Sequence, residues 1–449
     1  MKALSIIILV LSLSIVPDLL SAQTPIGVAT PSDQEACTSV SIVEIVLSTS
    51  NGLDATTTYA WTRDNTVNVT HGATSGSGNI QDALFNNTNT PQLVTYTIIP
   101  TSVPGGAGAP FYATVTVNPY SLVHPVADQV VCNTDPVVVN FTTSNIGGTT
   151  TYSWVNDTPG IGLAAGGSGD ISFNAVNTGT SPIVANFTVT PYFSSGGVIC
   201  DGPPELFTIT VNPTAQVNDP LDQVVCAFEN TDLITFTSNR SPGTTTYSWT
   251  NDNISIGLAA SGTGDIPSFT ALNTGALPET ATITVTPQYS YDGVSCDGPP
   301  ETFTITVNPE AQVNDPADQV ICYGEPIFIH FTTNLTGGTA SYSWVNDNTD
   351  IGIASSGTGD IFGVAMNAIH EPIVANISVT PHFSIGGVIC DGPPEVFTIT
   401  VNPEARVDPP ASQVLCNTES TTAVIFSTDR IGGTTNYDWT NDNPSIGLA

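Results

Sequence analysis

Basic residues are nearly missing from this sequence. Its 449 residues include five lysines and arginines against 39 aspartates and glutamates, which gives a formal net charge of −34 at pH 7. Nucleic acids and anionic lipid surfaces are bound through basic patches, and a strongly acidic chain is repelled by both. We therefore expect no nucleic-acid partner. The charge governs solubility and counter-ions, and it does not indicate a fold.

Long apolar segments are also scarce. The one continuous run, "LSIIILVLSLSIV" at residues 4–16, follows Lys2 and precedes the small-residue site "LLSA". It is too short to span a bilayer and has the layout of a secretory signal. We predict a signal peptide over residues 1–22, cleavage after Ala22, no later membrane span, and a secreted or cell-surface location. Such locations are oxidising, so disulfides persist there.

Motifs for catalysis are missing as well. The sequence has no GxSxG, HExxH, Walker or CxxC motif. The histidines show no zinc-site spacing and do not fall at equivalent positions of the repeat described below; they are His71, His124, His330, His370 and His382. We expect no enzyme and no catalytic residue.

What the sequence does contain is a repeat of about 95 residues. The string "CDGPPEVFTITVNPEA" at residues 390–405 returns almost unchanged at Cys200 and at Cys296. The five tryptophans are spaced by 93, 95, 95 and 95 residues, and the "VNP" motif by 94, 96 and 94. This period is close to the size of an immunoglobulin-type sandwich.

The period divides the chain into a signal peptide and five units. Unit 5 stops part-way through its pattern, and half a sandwich cannot close a core, so we expect the sequence to be part of a longer protein. The predicted segments are 1–22 (signal peptide), 23–119 (unit 1, divergent), 120–213 (unit 2), 214–309 (unit 3), 310–403 (unit 4) and 404–449 (incomplete unit 5).

Each unit shows strand signals. Unit 2 contains "DQVVC", "VVVNFTT", "TTYSWVN", "IVANFTVTPYF" and "LFTITV". These segments are rich in β-branched and aromatic residues and are bounded by Gly, Pro, Asn or Asp. The predicted fold class is all-β, a tandem array of immunoglobulin-like β-sandwich domains.

One tryptophan per unit follows a tyrosine by two residues, so both side chains share one face of a strand. Such a pair could form a carbohydrate-stacking platform or fill the core of the sandwich. We favour the core, because sandwiches fill their centre with one tryptophan at a fixed register. The predicted core tryptophans are Trp61, Trp154, Trp249, Trp344 and Trp439.

The eight cysteines predict disulfides inside the repeats. In units 2 to 4 one cysteine lies in the first strand and one precedes the last strand, at nearly equal separations in the three units. Because those elements can be neighbours in a sandwich, we predict three pairs within units. They are Cys132–Cys200, Cys226–Cys296 and Cys322–Cys390, with Cys37 and Cys416 left unpaired.

Acidic residues in two kinds of loop are candidates for binding calcium, the one cofactor considered, which takes carboxylate and carbonyl oxygens. The loop after the tryptophan carries Asp157, Asp252 and Asp347, followed by Asp170, Asp265 and Asp360 in a "GxGD" motif. The connectors between units carry Asp219, Asp222, Asp315 and Asp318. The alternative, which we favour at both places, is a turn or connector that needs no ion.

Four motifs carry a resemblance to a known family. They are Tyr152-x-Trp154 followed by "ND", the loop "IGLAASGTGDI", the strand "ATITVTP" and the segment "CDGPPETFTITVNP". With these motifs the units resemble the PKD-like (polycystic-kidney-disease-like) repeats of secreted Bacteroidota proteins. The resemblance implies a seven-stranded sandwich, a surface location and a stalk or adhesion role. Here "VNDN" or "TNDN" replaces the Asp-Phe-Gly-Asp-Gly turn of standard PKD domains, so no ligand role of that turn is carried over.

Two functions remain open at this point. The favoured one is a non-enzymatic extracellular or cell-surface repeat protein that acts as a stalk or adhesion module toward an unidentified protein or carbohydrate ligand. The alternative is a set of accessory spacer or binding domains for an extracellular hydrolase whose catalytic domain lies beyond residue 449.

Overall fold

The computed structural model describes residues 23–448, and the predicted signal peptide lies outside them. The described chain is built from β-strands, with short 3-10 helices at turns, which confirms the predicted fold class. In residues 23–448 there is no helix with the length and apolarity needed to cross a membrane. Below, domains 1 to 4 denote the predicted units 1 to 4, whose boundaries remain predictions.

Domains 1 and 2 contain eighteen strands. In domain 1 they are β1 Gly27–Thr30, β2 Asp33–Cys37, β3 Val46–Thr49, β4 Thr57–Arg63, β5 Val69–Thr70, β6 Ser75–Ser77, β7 Phe85–Asn86, β8 Gln92–Ser102, β9 Gly106–Ala107 and β10 Phe111–Asn118. In domain 2 they are β11 Gln129–Cys132, β12 Pro136–Val139, β13 Thr149–Asn156, β14 Gly166–Ser168, β15 Ile171–Asn174, β16 Ile183–Ser195, β17 Val198–Asp201 and β18 Glu205–Asn212.

Domains 3 and 4 repeat this arrangement. The strands of domain 3 are β19 Gln223–Cys226, β20 Thr244–Asn251, β21 Ser261–Thr263, β22 Glu279–Tyr291, β23 Val294–Asp297 and β24 Glu301–Asn308. Those of domain 4 are β25 Gln319–Cys322, β26 Pro326–Ile329, β27 Thr339–Asn346, β28 Ser356–Thr358, β29 Ile361–Val364, β30 Ile373–Ile385, β31 Val388–Asp391 and β32 Glu395–Asn402. The 3-10 helices are Asp54–Thr56, Pro159–Ile161, Ile254–Ile256, Thr349–Ile351 and Pro444–Ile446.

Each domain has one six-stranded sheet with the same strand order. In domain 2 the order is β11-β18-β16-β13-β14, and β17 pairs with the far end of β16. The first strand runs parallel to the last one, so Cys132 lies level with Asn212. A smaller layer covers the other side of the core: it is β1-β3 with β5-β7 in domain 1, β12-β15 in domain 2, β26-β29 in domain 4, and the bridges Asn230–Thr270 and Ile234–Ile266 in domain 3.

The core lies between these layers and follows the period of two along the strands. In β16 the side chains of Ala185, Phe187 and Val189 are fully buried while those between them reach the surface. Complete burial of a side chain such as Phe187 contributes about 1.5–3 kcal/mol. Domains 1 to 4 each have a separate cluster of this kind.

The four tryptophans of domains 1 to 4 are core residues, with exposed fractions of 6–8%. Trp154 lies against Gly167 of the "GxGD" motif, where a Cβ atom would lie within 3.0 Å of Cζ2 of the indole and would overlap it. The equivalent glycines of the other three domains make the same contact. The motif therefore has a glycine at this position because the indole occupies the space of a side chain.

Residues 404–448 differ from the four domains. They contain no strand, and the side chain of Trp439 is 53% exposed. The prediction that Trp439 is a core residue is therefore wrong for this structure. In domains 1 to 4 the tryptophan is covered by strands that follow it in the sequence, and residues 440–448 provide none.

Contacts group the chain into two compact units. The first ends at Thr214 and also includes Ser241–Gly243 and Ser290–Cys296; the second comprises Ala215–Arg240, Thr244–Tyr289 and the residues from Asp297 onward. The segment Ser290–Cys296 is the tip of the β22–β23 hairpin. It belongs to the first compact unit because Cys296 is bonded to Cys132.

Candidate functional site at the domain junctions

The predicted pairing of the cysteines within units is wrong. In place of Cys132–Cys200, Cys226–Cys296 and Cys322–Cys390, the structure forms Cys37–Cys200, Cys132–Cys296 and Cys226–Cys390, each with Cα atoms 5.5 Å apart. Cys37, expected to be unpaired, is bonded, whereas Cys322 is free, as is Cys416. Each disulfide thus joins the first cysteine of one domain to the second cysteine of the next domain.

The pairing within a unit fails because its two cysteines lie at opposite ends of the sheet. In domain 2, Cys132 is level with Asn212, next to the point where Ile183 begins β16. Cys200 is level with Phe193, ten residues further along β16. Ten residues of strand span about 33 Å, while the Cα atoms of a disulfide are at most about 7 Å apart.

A hydrogen bond accompanies each disulfide. The asparagine of "VNP" donates from Nδ2 to a backbone carbonyl of the next domain's hairpin: Asn118 to Ser195 at 3.4 Å, Asn212 to Tyr291 at 3.1 Å and Asn308 to Ile385 at 3.4 Å. These asparagines are at most 1% exposed. The repeated "VNP" and "CDGPP" strings are therefore the two halves of one contact between consecutive domains.

The glycine of "CDGPP" has a packing role of its own. A Cβ atom on Gly202 would overlap the carbonyl oxygen of Ser121, and one on Gly392 would overlap that of Ala311. A side chain would displace the segment that leads into the domain. The glycine thus lets the hairpin lie directly on that segment.

The disulfides close long loops. Cys37 and Cys200 are 163 residues apart, and the other two pairs 164. In the chain-entropy description, a loop of this length stabilises the folded state by about 5 kcal/mol. Each junction therefore links two consecutive domains by a covalent bond.

The acidic residues after the tryptophans have structural partners. Asp157 accepts bonds from the Nδ2 and backbone N of Asn186 at 2.7 and 2.8 Å, and Asp347 does the same with Asn376 at 2.7 Å each. The side-chain amides, followed by the backbone N–H groups, lower the pKa of both aspartates below its ordinary value. Asp252 accepts a bond from the backbone N of Thr282 at 2.6 Å.

The aspartates of "GxGD" and of the connectors also accept backbone N–H groups. Asp170, Asp265 and Asp360 bind the amides of Phe141, Phe236 and Phe331 at 2.9, 2.9 and 3.1 Å. Asp222 and Asp318 bind those of Thr304 and Thr398 at 2.6 and 2.7 Å.

Two connector aspartates, Asp219 and Asp315, are exposed to solvent. Across residues 23–448, no three His, Cys, Asp or Glu side chains come together as a metal-binding group. Most of the calcium candidates are therefore positioned as anchors for neighbouring backbone. The structure does not bring the candidates of either loop together into a carboxylate cluster.

Domain 4 contains a polar relay that the sequence pattern does not reveal. The hydroxyl of Ser343 lies 2.8 Å from Nε2 of His382, and Nδ1 of His382 lies 2.6 Å from Oδ1 of Asp391. The three residues come from neighbouring strands β27, β30 and β31. Their distance along the chain hides the arrangement from a search for short motifs.

The relay has the order of a serine nucleophile, a base and an orienting carboxylate, but its setting differs from an active site. Ser343 lies in a central strand, level with Thr380 on one side and Thr358 on the other. Its neighbouring backbone N–H groups serve the sheet ladders, so they are not available as donors to a developing oxyanion. The arrangement holds three strands together on an outer face of the sheet.

The centre of this face varies between domains. Tyr192 of domain 2 and Gln288 of domain 3 stand where domain 4 has His382. In domain 3 the face is an open depression of about 600 Å³ lined by Tyr247, Ser248, Gln288 and Asp297. In domains 2 to 4 this variable residue therefore lies between a serine (Ser153, Ser248, Ser343) and an aspartate (Asp201, Asp297, Asp391) that all three domains share.

One family model matches part of the chain. Residues 34–121 match the family model of the PKD-like domain, which confirms the resemblance to PKD-like repeats. No curated protein sequence matches this chain.

The solved structures that match this chain include tandem immunoglobulin-like proteins. The N-terminal eight Ig domains of Down Syndrome Cell Adhesion Molecule have 10% identity and a TM-score of 0.34, covering 85% of this chain and 50% of that one. Titin I67–I69 has 11% identity and a TM-score of 0.32, covering 62% of this chain and 96% of that one. Drosophila N-cadherin EC1-4 has 13% identity and a TM-score of 0.27, covering 77% of this chain and 92% of that one. The chain thus spans half the length of the eight-domain fragment, and TM-scores this low carry no information about function.

Proposed function

We propose that this protein, which carries a PKD-like domain at residues 34–121, is a non-enzymatic extracellular stalk and adhesion module. The observation that supports the proposal is the junction, where the cysteines of consecutive domains are bonded to each other. A disulfide that served only domain stability would lie within one domain. A disulfide between domains fixes their spacing, which is what a stalk requires.

The three disulfides also support an extracellular location. Bonds of this kind persist outside the cell and are reduced in the cytosol. The strongly acidic composition and the small number of lysines and arginines give few sites for trypsin-like proteases. Both properties suit a module that is exposed to the medium for long periods.

The ligand-binding surface of this module is the variable face around Tyr192, Gln288 and His382. Its hydroxyl, amide and imidazole groups fit the polar surface of a protein or a carbohydrate. Different central residues in successive domains give each domain its own preference along the stalk.

The test measures ligand binding and activity of the oxidised, secreted protein. On arrays of glycans and of extracellular proteins we expect binding that falls when the variable face is altered in Tyr192→Ala/Gln288→Ala/His382→Ala. The exposed connector variant Asp219→Asn is the control and should bind like the original protein. Binding that the triple variant leaves unchanged, or hydrolysis of polysaccharide or protein substrates by this chain, would refute the proposal.

A further inference from the structure

We propose that domain 4 carries a second ligand site, which binds one or two sugar rings of a neutral polysaccharide chain. The site lies on the outer side of the smaller layer, formed by β26 and β29, and we call it the aromatic face. It consists of Phe328, His330, Asp360 and Phe362. The site goes beyond the proposed function, which places ligand binding on the six-stranded sheet across the core.

The strand register turns both phenylalanines of the aromatic face outward. Phe328 alternates with buried Ile327 and Ile329 along β26, and it is level with Phe362 of β29. The centroids of the two rings are 5.0 Å apart. Their exposed fractions are 59% and 69%, although phenylalanine is among the residue types that proteins bury most often. Neither ring belongs to the core cluster of domain 4, so the packing of the core does not require them.

The pair of residues at this place differs in every domain. It is Glu44 with Gln81 in domain 1, Val138 with Ser172 in domain 2 and Leu233 with Pro267 in domain 3. Val138 and Leu233 are 55% and 59% exposed, although another domain follows each of theirs. The exposure of this position is therefore a property of the single domain, and among domains 1 to 4 only domain 4 places two aromatic rings there.

A polar pair borders the two rings. Nδ1 of His330 lies 2.8 Å from Oδ2 of Asp360, whose Oδ1 accepts the backbone N–H of Phe331 at 3.1 Å. The imidazole is nearly parallel to the ring of Phe328, at an angle of 14° and a centroid distance of 6.4 Å. When Nδ1 donates its proton to the carboxylate, Nε2 is an acceptor on the exposed edge of the ring. Domains 2 and 3 have Asn140 and Thr235 at this position.

This combination of groups fits a sugar ring. One side of a pyranose presents C–H groups, which pack against the negative face of an aromatic ring, and its edge presents hydroxyl groups. Phe328 and Phe362 supply the aromatic surface, and His330 and Asp360 supply acceptors for hydroxyl protons. Ligand sites generally combine aromatic surface with a few positioned polar groups in this way.

Size and charge argue against other occupants. A phenylalanine has about 150–250 Å² of surface to bury, so two partly exposed rings offer a few hundred Å² at most, whereas a protein interface takes about 800 Å² from each partner. The net charge of −34 repels a second copy of the chain and anionic glycans. A neutral saccharide meets both conditions.

The test is affinity gel electrophoresis of the full oxidised chain in gels that contain neutral β-glucan, galactomannan or arabinoxylan. The parent protein is Tyr192→Ala/Gln288→Ala/His382→Ala, so that the face assigned to the proposed function does not contribute. We expect at least one of the three neutral polysaccharides to retard the parent protein. Gels with anionic polygalacturonate should retard it less.

The variants replace residues of domain 4 by those of its sister domains. Phe328→Val/Phe362→Ser introduces the pair of domain 2, and we expect the Kd for the polysaccharide to rise about tenfold, or about threefold for each ring. His330→Asn should raise the Kd about threefold through the loss of one hydrogen bond. Val345→Thr is the matched control: it changes an equally exposed apolar side chain on the six-stranded sheet to the residue of domain 3, and it should leave the Kd unchanged.

Several outcomes would overturn the site. They are a parent protein that no neutral polysaccharide retards, retardation by polygalacturonate alone, and a Kd that Phe328→Val/Phe362→Ser leaves unchanged. Self-association of the parent that this double variant abolishes in sedimentation would assign the aromatic face to a second copy and would also refute the site. The array test of the proposed function compares the original protein with the triple variant, whereas here every protein carries the triple change, so the two proposals can fail separately.

Discussion

The overlapping disulfides predict a chain that can hardly be extended by force. In the oxidised protein the shortest covalent path from Cys37 runs through its disulfide to Cys200 and then along the backbone to Cys226. From Cys226 it runs through a second disulfide to Cys390. After reduction the same two ends are separated by 353 residues. An extended chain spans about 3.4 Å per residue, so the path, with its two disulfides, is about 100 Å when oxidised and about 1,200 Å when reduced.

The measurement is single-molecule stretching of the chain by its two ends, first oxidised and then after adding a reductant. The free cysteines are replaced by serine in Cys322→Ser/Cys416→Ser to prevent exchange. We expect the 37–390 segment to lengthen to no more than about 100 Å before reduction and to about 1,200 Å after it. The difference between the oxidised and reduced lengths depends on which cysteines are bonded to each other, and it does not depend on the stability of the individual domains.

The alternative connectivity gives a distinct value. With disulfides inside the repeats, 147 residues of the same segment would remain in the covalent path, which corresponds to about 500 Å. An oxidised length of about 500 Å would refute the pairing between domains, because it is the extended length of that alternative path. A length of about 1,200 Å without reductant, the full extension of the segment, would show that the disulfides do not form.

Three further predictions concern stability and surface chemistry. Gly167→Ala should destabilise domain 2 by about 1–3 kcal/mol in urea unfolding, because the new methyl group overlaps the indole, whereas Gly160→Ala, with open space around it, should not. The pKa of Asp157 is lowered in the fold, so the stabilisation from its carboxylate is present above about pH 4 and is lost as the pH falls through the folded pKa. Asp157→Asn should therefore reduce the fall of the melting temperature at acid pH, and the exposed control Asp219→Asn should not. Ser343 should not be labelled by a fluorophosphonate, since it lacks an oxyanion site; labelling above the level of Ser343→Ala would contradict this.

The repeat and the strands could be read from the sequence because both depend on local patterns. The tryptophan positions, the alternating apolar residues and the Gly and Pro at strand ends give the same answer in each unit. The core position of Trp154 followed from its fixed register. Trp439 has the same register but is exposed, because a core tryptophan is covered by strands that follow it in the sequence.

The cysteine pairing could not be obtained from neighbouring elements alone. Whether Cys132 and Cys200 can meet depends on their positions along the strands, which follow from the parallel register of β11 with β18. One signal was present in the sequence. Cys37 has no mate in its own unit, and shifting every pair by one repeat gives it Cys200.

The relay and the anchoring aspartates were hidden for a different reason. Ser343, His382 and Asp391 are adjacent only across three strands. The aspartates after the tryptophans had two interpretations because a carboxylate that binds an ion and one that binds backbone amides look the same in sequence. Their partners appear only when the strands are paired.

The pairing between domains also sets an order for biosynthesis. Cys37 and Cys132 are synthesised before Cys200, which follows Cys37 by 163 residues. Oxidation in order of appearance would join Cys37 to Cys132. The correct bond can form only after domain 2 has folded and placed its hairpin against domain 1. Correct pairing therefore requires that each thiol stays reduced until the following domain has folded, or that a disulfide isomerase corrects early pairs.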